Sequence, residues 1–113
     1  NPNYHTVLDL GYYKRSIGLF TNKSFLIFSD DLDWCKRNFI GKEFSFMDKG
    51  NDLQQIMMMS MCEDNIIANS SFSWWGAWLN KNEEKKIIAP KNWFGPLANL
   101  ETKDIYCDNW IIL

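Results

Sequence analysis

Short apolar runs and amphipathic stretches alternate along this chain at regular spacing. Ser24-Phe25-Leu26-Ile27-Phe28-Ser29 is a continuous apolar run of strand length, the pattern of a strand buried on both faces. Before it, Tyr12, Tyr13, Ile17 and Phe20 mark a helix that Asp9 or a neighbour would start, with Thr21-Asn22-Lys23 as the break. After it, Leu32, Cys35 and Phe39 fall three and four apart on a second helix that Gly41 ends. Glu43 to Met47 reads as a less buried strand, followed by a turn at Asp48-Lys49-Gly50-Asn51. A third helix carries Leu53, Ile56, Met57 and Met61. Met58 and Met59 make it apolar almost all round, so cover on more than one side is expected.

The next stretch, Asn65 to Asn80, predicts a strand over 65–68, a hydroxyl-rich turn, and an aromatic helix over about 72–80. A polar break at 80–84 leads to a strand at Lys86-Ile87-Ile88-Ala89, stopped by Pro90. Lys91 to Pro96 is an aromatic loop. A short strand is expected near Ile105-Tyr106, and the chain closes on the apolar Trp110-Ile111-Ile112-Leu113. Helix and strand alternating this way define an α/β class: a parallel sheet, Rossmann-like, with helices on both faces, occupying residues 1–113 as one domain. In such sheets ligands bind beyond the carboxyl ends of the strands. Three polar segments fall at those ends: Ser29-Asp30-Asp31, Asn69-Ser70-Ser71 and Pro90-Lys91.

Composition narrows the function classes. Of 113 residues 46% are hydrophobic and 16% aromatic, enough for a packed core and too many for disorder. A net charge of −2 and scattered basic residues oppose a nucleic-acid surface. Three dispersed cysteines, Cys35, Cys62 and Cys107, make neither a disulfide framework nor a zinc site. They fit reduced thiols in a cytoplasmic setting. No apolar run approaches the length of a membrane span.

Ser70, Ser71 and Ser73, with Asn69, could hold a phosphate where a helix leaves its first N–H groups without intrahelical partners. Plain N-capping explains the same residues. Asp30 and Asp31 could orient a ligand hydroxyl, or one of them could cap the second helix, and no third ligand stands near for a metal. Asp52 could accept hydrogen bonds from a base edge or complement a helix dipole. Trp74, Trp75 and Trp78 could stack on a sugar, but at helical spacing at least two of them are expected in the core, with Gly76 allowing close packing on the sheet. His5, the only histidine, lies in a polar lead-in. There is no glycine-rich phosphate loop and no G-x-S-x-G elbow.

The ordered set of segments resembles the α-1,2-fucosyltransferases. Asn65–Asn80, N-I-I-A-N-S-S-F-S-W-W-G-A-W-L-N, is similar to that family's C-terminal signature. Tyr12-Tyr13, Phe28-Ser29-Asp30-Asp31-Leu32-Asp33-Trp34-Cys35, Met59-Ser60-Met61-Cys62 and Ile88 to Phe94 are similar to its other segments, in the same order. The resemblance implies the donor-binding, C-terminal part of a two-domain inverting glycosyltransferase. Such an enzyme moves fucose from GDP-fucose to the 2-hydroxyl of a β-galactoside, with no cofactor and no essential metal. It further implies that Ser70 and Ser71 bind the diphosphate and that the Asp30-Asp31 turn lines the donor pocket. An acidic residue in the preceding helix would read guanine; here Gln55 stands at that position and Asp52 about one turn earlier. The family's H-x-R-R-G-D arginine would precede residue 1, so catalysis is not expected from these residues alone. The partners implied are GDP-fucose and a galactose-containing glycan, in a bacterial cytoplasm, with the parent protein peripheral to the inner membrane. Two other readings remain open at this point. One is a non-catalytic nucleotide- or sugar-binding module. The other is a response-regulator-like domain using Asp30-Asp31 and Lys91 around Mg²⁺.

Overall fold

The computed structural model of the chain describes residues 10–91, 93 and 105–113. Among the described residues four helices and five strands follow one another: α1 Leu10–Ile17, β1 Phe25–Ile27, α2 Leu32–Asn38, β2 Phe44–Phe46, α3 Asp52–Ser60, β3 Asn65–Ile66, α4 Ser71–Trp78, β4 Ile87–Ala89 and β5 Ile111–Ile112. Every strand pairing is parallel, β1 with β2 and β3-β4-β5 in that order. This is an open, Rossmann-like α/β architecture, as the alternation predicts. The helix start near Asp9, His5, and most of the aromatic loop at 91–96 lie outside the described residues.

Local chemistry sets the helix starts. Asp31 caps α2, its carboxylate accepting from the Trp34 N–H at 3.2 Å. Asn51 and Gln54 form a reciprocal capping box on α3, both bonds 2.9 Å. Gly50, at φ +85°, makes the tight approach to that cap, where a side chain would be strained. Ser70 caps α4.

The core sits around β4, whose three residues are all buried, together with Ile67, Ala77 and Trp93. Tyr12 fastens α1 to it: the phenol donates to the carbonyl of Ile67 at 2.6 Å and lies 3.2 Å from that of Ile88. Burial holds the Tyr12 phenol well above its ordinary range, because an anion there would lose its water and face two carbonyls.

Several expectations are corrected. The run 24–29 forms only a three-residue strand, with Leu26 exposed, so the strand buried on both faces is β4. Apolar character marks both equally, and only neighbours decide which is covered. The third helix is not covered all round: only Met59 is buried, while Leu53, Met57 and Met61 are exposed at four-residue spacing along one side. Of the three tryptophans in α4 none is fully buried, Trp75 and Trp78 being about half exposed at 46% and 51%. The buried positions of α4 are Ser73, Gly76 and Ala77. Gly76 packs against α3 rather than the sheet, since a Cβ there would lie 2.8 Å from the Met59 Cβ. Ile105-Tyr106 is a turn, not a strand; its backbone is taken by the Trp74 indole, which donates to the Ile105 carbonyl at 2.6 Å. The last strand is Ile111–Ile112.

Candidate functional site

A cavity of about 570 Å³ opens between β1 and β3 and runs to the carboxyl ends of both strands. At that end its wall includes Ser29 and Asp30 after β1, Asp52 and Gln55 on α3, and Ala68, Ser70, Phe72 and Ser73 around the start of α4. Asp52 and Gln55 stand three apart, on adjacent turns of one helix, and so share a side of it. Deeper in, the lining is apolar, with Phe25, Ile27 and Ile66.

The turn before α4 is internally bonded. Ser70 Oγ accepts from the Ser73 N–H at 3.2 Å and lies 2.8 Å from Ser73 Oγ. Ser73 Oγ is within reach of the carbonyls of Ala68, at 2.9 Å, and Ser70, at 3.1 Å. The Asn69 amide donates to the Trp93 carbonyl at 3.1 Å, tying the turn to the segment after β4. Ser70 and Ser73 therefore shape the turn. Ser71 is exposed at the first helical position, where the backbone N–H has no intrahelical acceptor and the helix dipole is positive.

On the facing side the Ser29 hydroxyl accepts from the Asp31 N–H at 3.0 Å, which bends the chain so that Asp30 borders the cavity while Asp31 caps α2. The structure thus gathers Asp30, Asp52, Ser70 and Ser73 on one cavity. It leaves Asp31, Asn69 and Ser71 just outside the lining, and Lys91 apart from it. Lys91 belongs to the β5 edge instead, its N–H donating to the Leu113 carbonyl at 2.7 Å. Ser29 borders the site as the Ser29-Asp30-Asp31 segment after β1 predicts, and Phe72 borders it too, where its place among serines gives no signal in the sequence.

The two ends of the 65–80 stretch are structural. Asn80, buried, donates its amide to Asn65 Oδ1 at 2.8 Å and to the Cys62 carbonyl at 2.9 Å. Asn65 in turn donates to the Met59 carbonyl at 2.8 Å. This network locks the end of α3 to the end of α4, and with it the orientation of the serine turn.

Parallel strands, a hydroxyl-capped helix and a cavity reaching the strands' carboxyl ends define an open α/β domain of the Rossmann-like class. Comparison with known proteins narrows the class. Residues 2–113 match the family Glycosyl transferase family 11, and the chain belongs to that family. It is 46% identical to an alpha-1,2-colitosyltransferase of Escherichia coli over 95% of its own length and 40% of the relative's. It is 34% identical to the O-antigen biosynthesis glycosyltransferase WbnK of the same organism, over all of this chain and 40% of that one. The mouse galactoside 2-alpha-L-fucosyltransferase Sec1 is 27% identical across 65% of the chain and 22% of its own length. The chain spans about two fifths of the length of its bacterial relatives. No solved structure matches it. Among the described residues no helix is long and apolar enough to cross a membrane.

Proposed function

We propose that this chain forms the donor-binding part of a glycosyltransferase that moves fucose from GDP-fucose to the 2-hydroxyl of a β-galactoside with inversion. The observation that carries the reading is the cavity bounded by Ser29-Asp30 on one side and the Ser70–Ser73 helix start on the other. A nucleotide diphosphate suits such a place. Helix N–H groups and serine hydroxyls offer donors to the phosphates, and the helix dipole favours their charge. In this reading the Ser71 end of α4, with Ser70, Ser73 and Asn69 building the turn, faces the diphosphate. Asp30, beside the capping Asp31, lines the donor pocket, and Asp52 with Gln55 meets the base edge.

The reaction is a single displacement. The acceptor's 2-hydroxyl oxygen bonds to the anomeric carbon as the bond to the diphosphate breaks. The hydroxyl proton passes to a base, and GDP carries away the electron pair. No cofactor or metal enters this scheme. Charge developing on GDP is met by the donors at α4 and by the cation that the family resemblance places upstream of residue 1. The parent enzyme works on glycan acceptors in a bacterial cytoplasm, at the membrane periphery.

A second reading concerns only the sugar. The 46% identical relative is named a colitosyltransferase, which favours colitosyl as an alternative donor sugar for this chain. Calorimetric titration of the full-length protein with GDP, GDP-fucose and the corresponding colitosyl donor tests both. Binding of GDP together with one donor identifies the sugar. Absence of any GDP heat overturns the assignment of the cavity.

A further inference from the structure

The ladder between β3 and β4 stops one rung early, and the cause is chemical. Its register sets Asn65 against Ile87 and Ile66 against Ile88. Along it the Asn65 N–H donates to the Lys86 carbonyl at 3.1 Å and the Ile67 N–H to the Ile88 carbonyl at 2.9 Å. The even spacing of bonds in a parallel pair would next give the Ile67 carbonyl to the N–H of residue 90. Residue 90 is proline, which has no N–H to give. Its backbone nitrogen belongs to the β3 edge all the same, because the residues on either side serve β5. The Leu113 N–H donates to the Ala89 carbonyl at 3.0 Å, and the Lys91 N–H to the Leu113 carbonyl at 2.7 Å. Ile67 and Pro90 are both fully buried, so the carbonyl facing the proline needs a donor from within the protein.

That donor comes from α1. Tyr12, only 3% exposed, gives its phenol O–H to the Ile67 carbonyl at 2.6 Å, and the same oxygen lies 3.2 Å from the Ile88 carbonyl. The hydroxyl thus touches one carbonyl on each strand, where the ladder breaks off. Burial disfavours the phenolate, so the donor stays protonated well past neutral pH.

The candidate site hangs from that bond. The Ile67 carbonyl belongs to the peptide unit leading into Ala68, and the Ala68 carbonyl is 2.9 Å from Ser73 Oγ. Ser73 in turn meets Ser70 through its N–H and its hydroxyl. Beyond Pro90 the two chains are tied again where the Asn69 amide donates to the Trp93 carbonyl.

We infer that Tyr12 is a positioning residue of the site: its phenol substitutes for the N–H that Pro90 lacks, ends the β3–β4 ladder at Ile67 and so sets the place of the Ser70–Ser73 turn. The two residues work as a unit. An N–H at position 90 would zip the strands one rung further and draw the start of the turn toward the sheet. Proline without the phenol would leave a buried carbonyl unpaired and the root of the turn unheld. That the turn so held receives a donor diphosphate rests on the function proposed above; that the phenol holds it does not.

The test is a cycle of Tyr12→Phe, Pro90→Ala and the double variant in the full-length enzyme. Phenylalanine keeps the ring and removes the donor, while Pro90→Ala supplies an N–H on the β3 edge. Without nucleotide, Tyr12→Phe should speed amide exchange at Ser73 and Trp74 on the order of tenfold, the factor that one lost hydrogen bond represents. The Met47 amide, bonded to the Ile27 carbonyl between the other two strands, should not change. The double variant should recover protection at the turn. With GDP, the dissociation constant should rise by a similar factor in Tyr12→Phe and fall back in the double variant. Equal acceleration at Met47 and the turn, unchanged turn amides or GDP affinity in Tyr12→Phe, or damage that Pro90→Ala deepens rather than repairs would each overturn the inference. If the unmodified enzyme binds no GDP, the donor reading falls, and the exchange cycle still decides the role of Tyr12.

Discussion

Ser70 and Ser71 are adjacent, alike in chemistry and both part of the candidate anion site, yet the structure gives them different tasks. Replacing Ser70 by alanine removes the oxygen that accepts from the Ser73 N–H at 3.2 Å and the 2.8 Å contact with Ser73 Oγ. The lost cap costs about 0.5–2 kcal/mol. The long capping bond argues for the lower half, about 1 kcal/mol, since Ser73 Oγ keeps the Ala68 carbonyl as a partner. In thermal unfolding of the full-length protein that is a loss of roughly 2–4 °C. Ser71→Ala removes an exposed hydroxyl at a position where alanine is a better helix former, so its stability effect stays within about 0.5 kcal/mol. The two variants should separate again in a GDP titration. Ser71→Ala weakens binding while leaving the melting temperature in place, and Ser70→Ala alters both. The reasoning fails if Ser71→Ala melts as early as Ser70→Ala, or if Ser70→Ala melts like the unmodified protein.

Other consequences of the packing are equally checkable. Gly76→Ala puts a methyl group 2.8 Å from the Met59 Cβ, which no rotamer change can move; overpacking of about 1–3 kcal/mol should exceed the roughly 1 kcal/mol gained in helix propensity, lowering the denaturation midpoint. Asn80→Ala strips partners from Asn65 Oδ1, the Cys62 carbonyl and the Asn82 N–H, and should cost on the order of 2–3 kcal/mol in chemical denaturation. Tyr12 gives a pH signature. Its phenol titrates in the folded state above the ordinary value of 10.0, so the folded protein binds more protons than the unfolded chain in alkali. The stability tied to this group is complete below pH 10 and falls steadily as the pH rises beyond it. Tyr12→Phe should flatten that alkaline slope in a melting-temperature profile, and an unchanged slope would mean the phenol is not held neutral by burial.

Much of the architecture was legible in the alternation of apolar runs. The parallel strands, the cap at Asp31 and the turn at Ser70 follow from local chemistry that tertiary packing did not overrule. The placement of Asp30 and Ser70 on one cavity was legible too, because both follow strands whose carboxyl ends a parallel sheet must bring to one edge. Coverage was not legible. Residues 24–29 read as a strand buried on both faces and 86–89 simply as a strand, but among the described residues only β4 has partners on both edges. Trp75 and Trp78 carry large apolar surfaces, and yet the buried positions of α4 are Ser73, Gly76 and Ala77, with Gly76 set against Met59 of α3 where an indole does not fit. Lys91, next to a strand end, lies away from the cavity because its backbone extends the β4–β5 pairing. Ile105-Tyr106 carries strand-forming residues, but the Trp74 indole and the bond from the Tyr106 phenol to the Pro90 carbonyl hold it as a turn.

Amide exchange of the full-length protein with and without saturating GDP tests the proposed donor site most directly. Slowed exchange is expected at Ser71, Phe72 and Ser73 and at the Ser29-Asp30 turn, with little change along β5. Binding of GDP that leaves those amides untouched and protects another surface would contradict it.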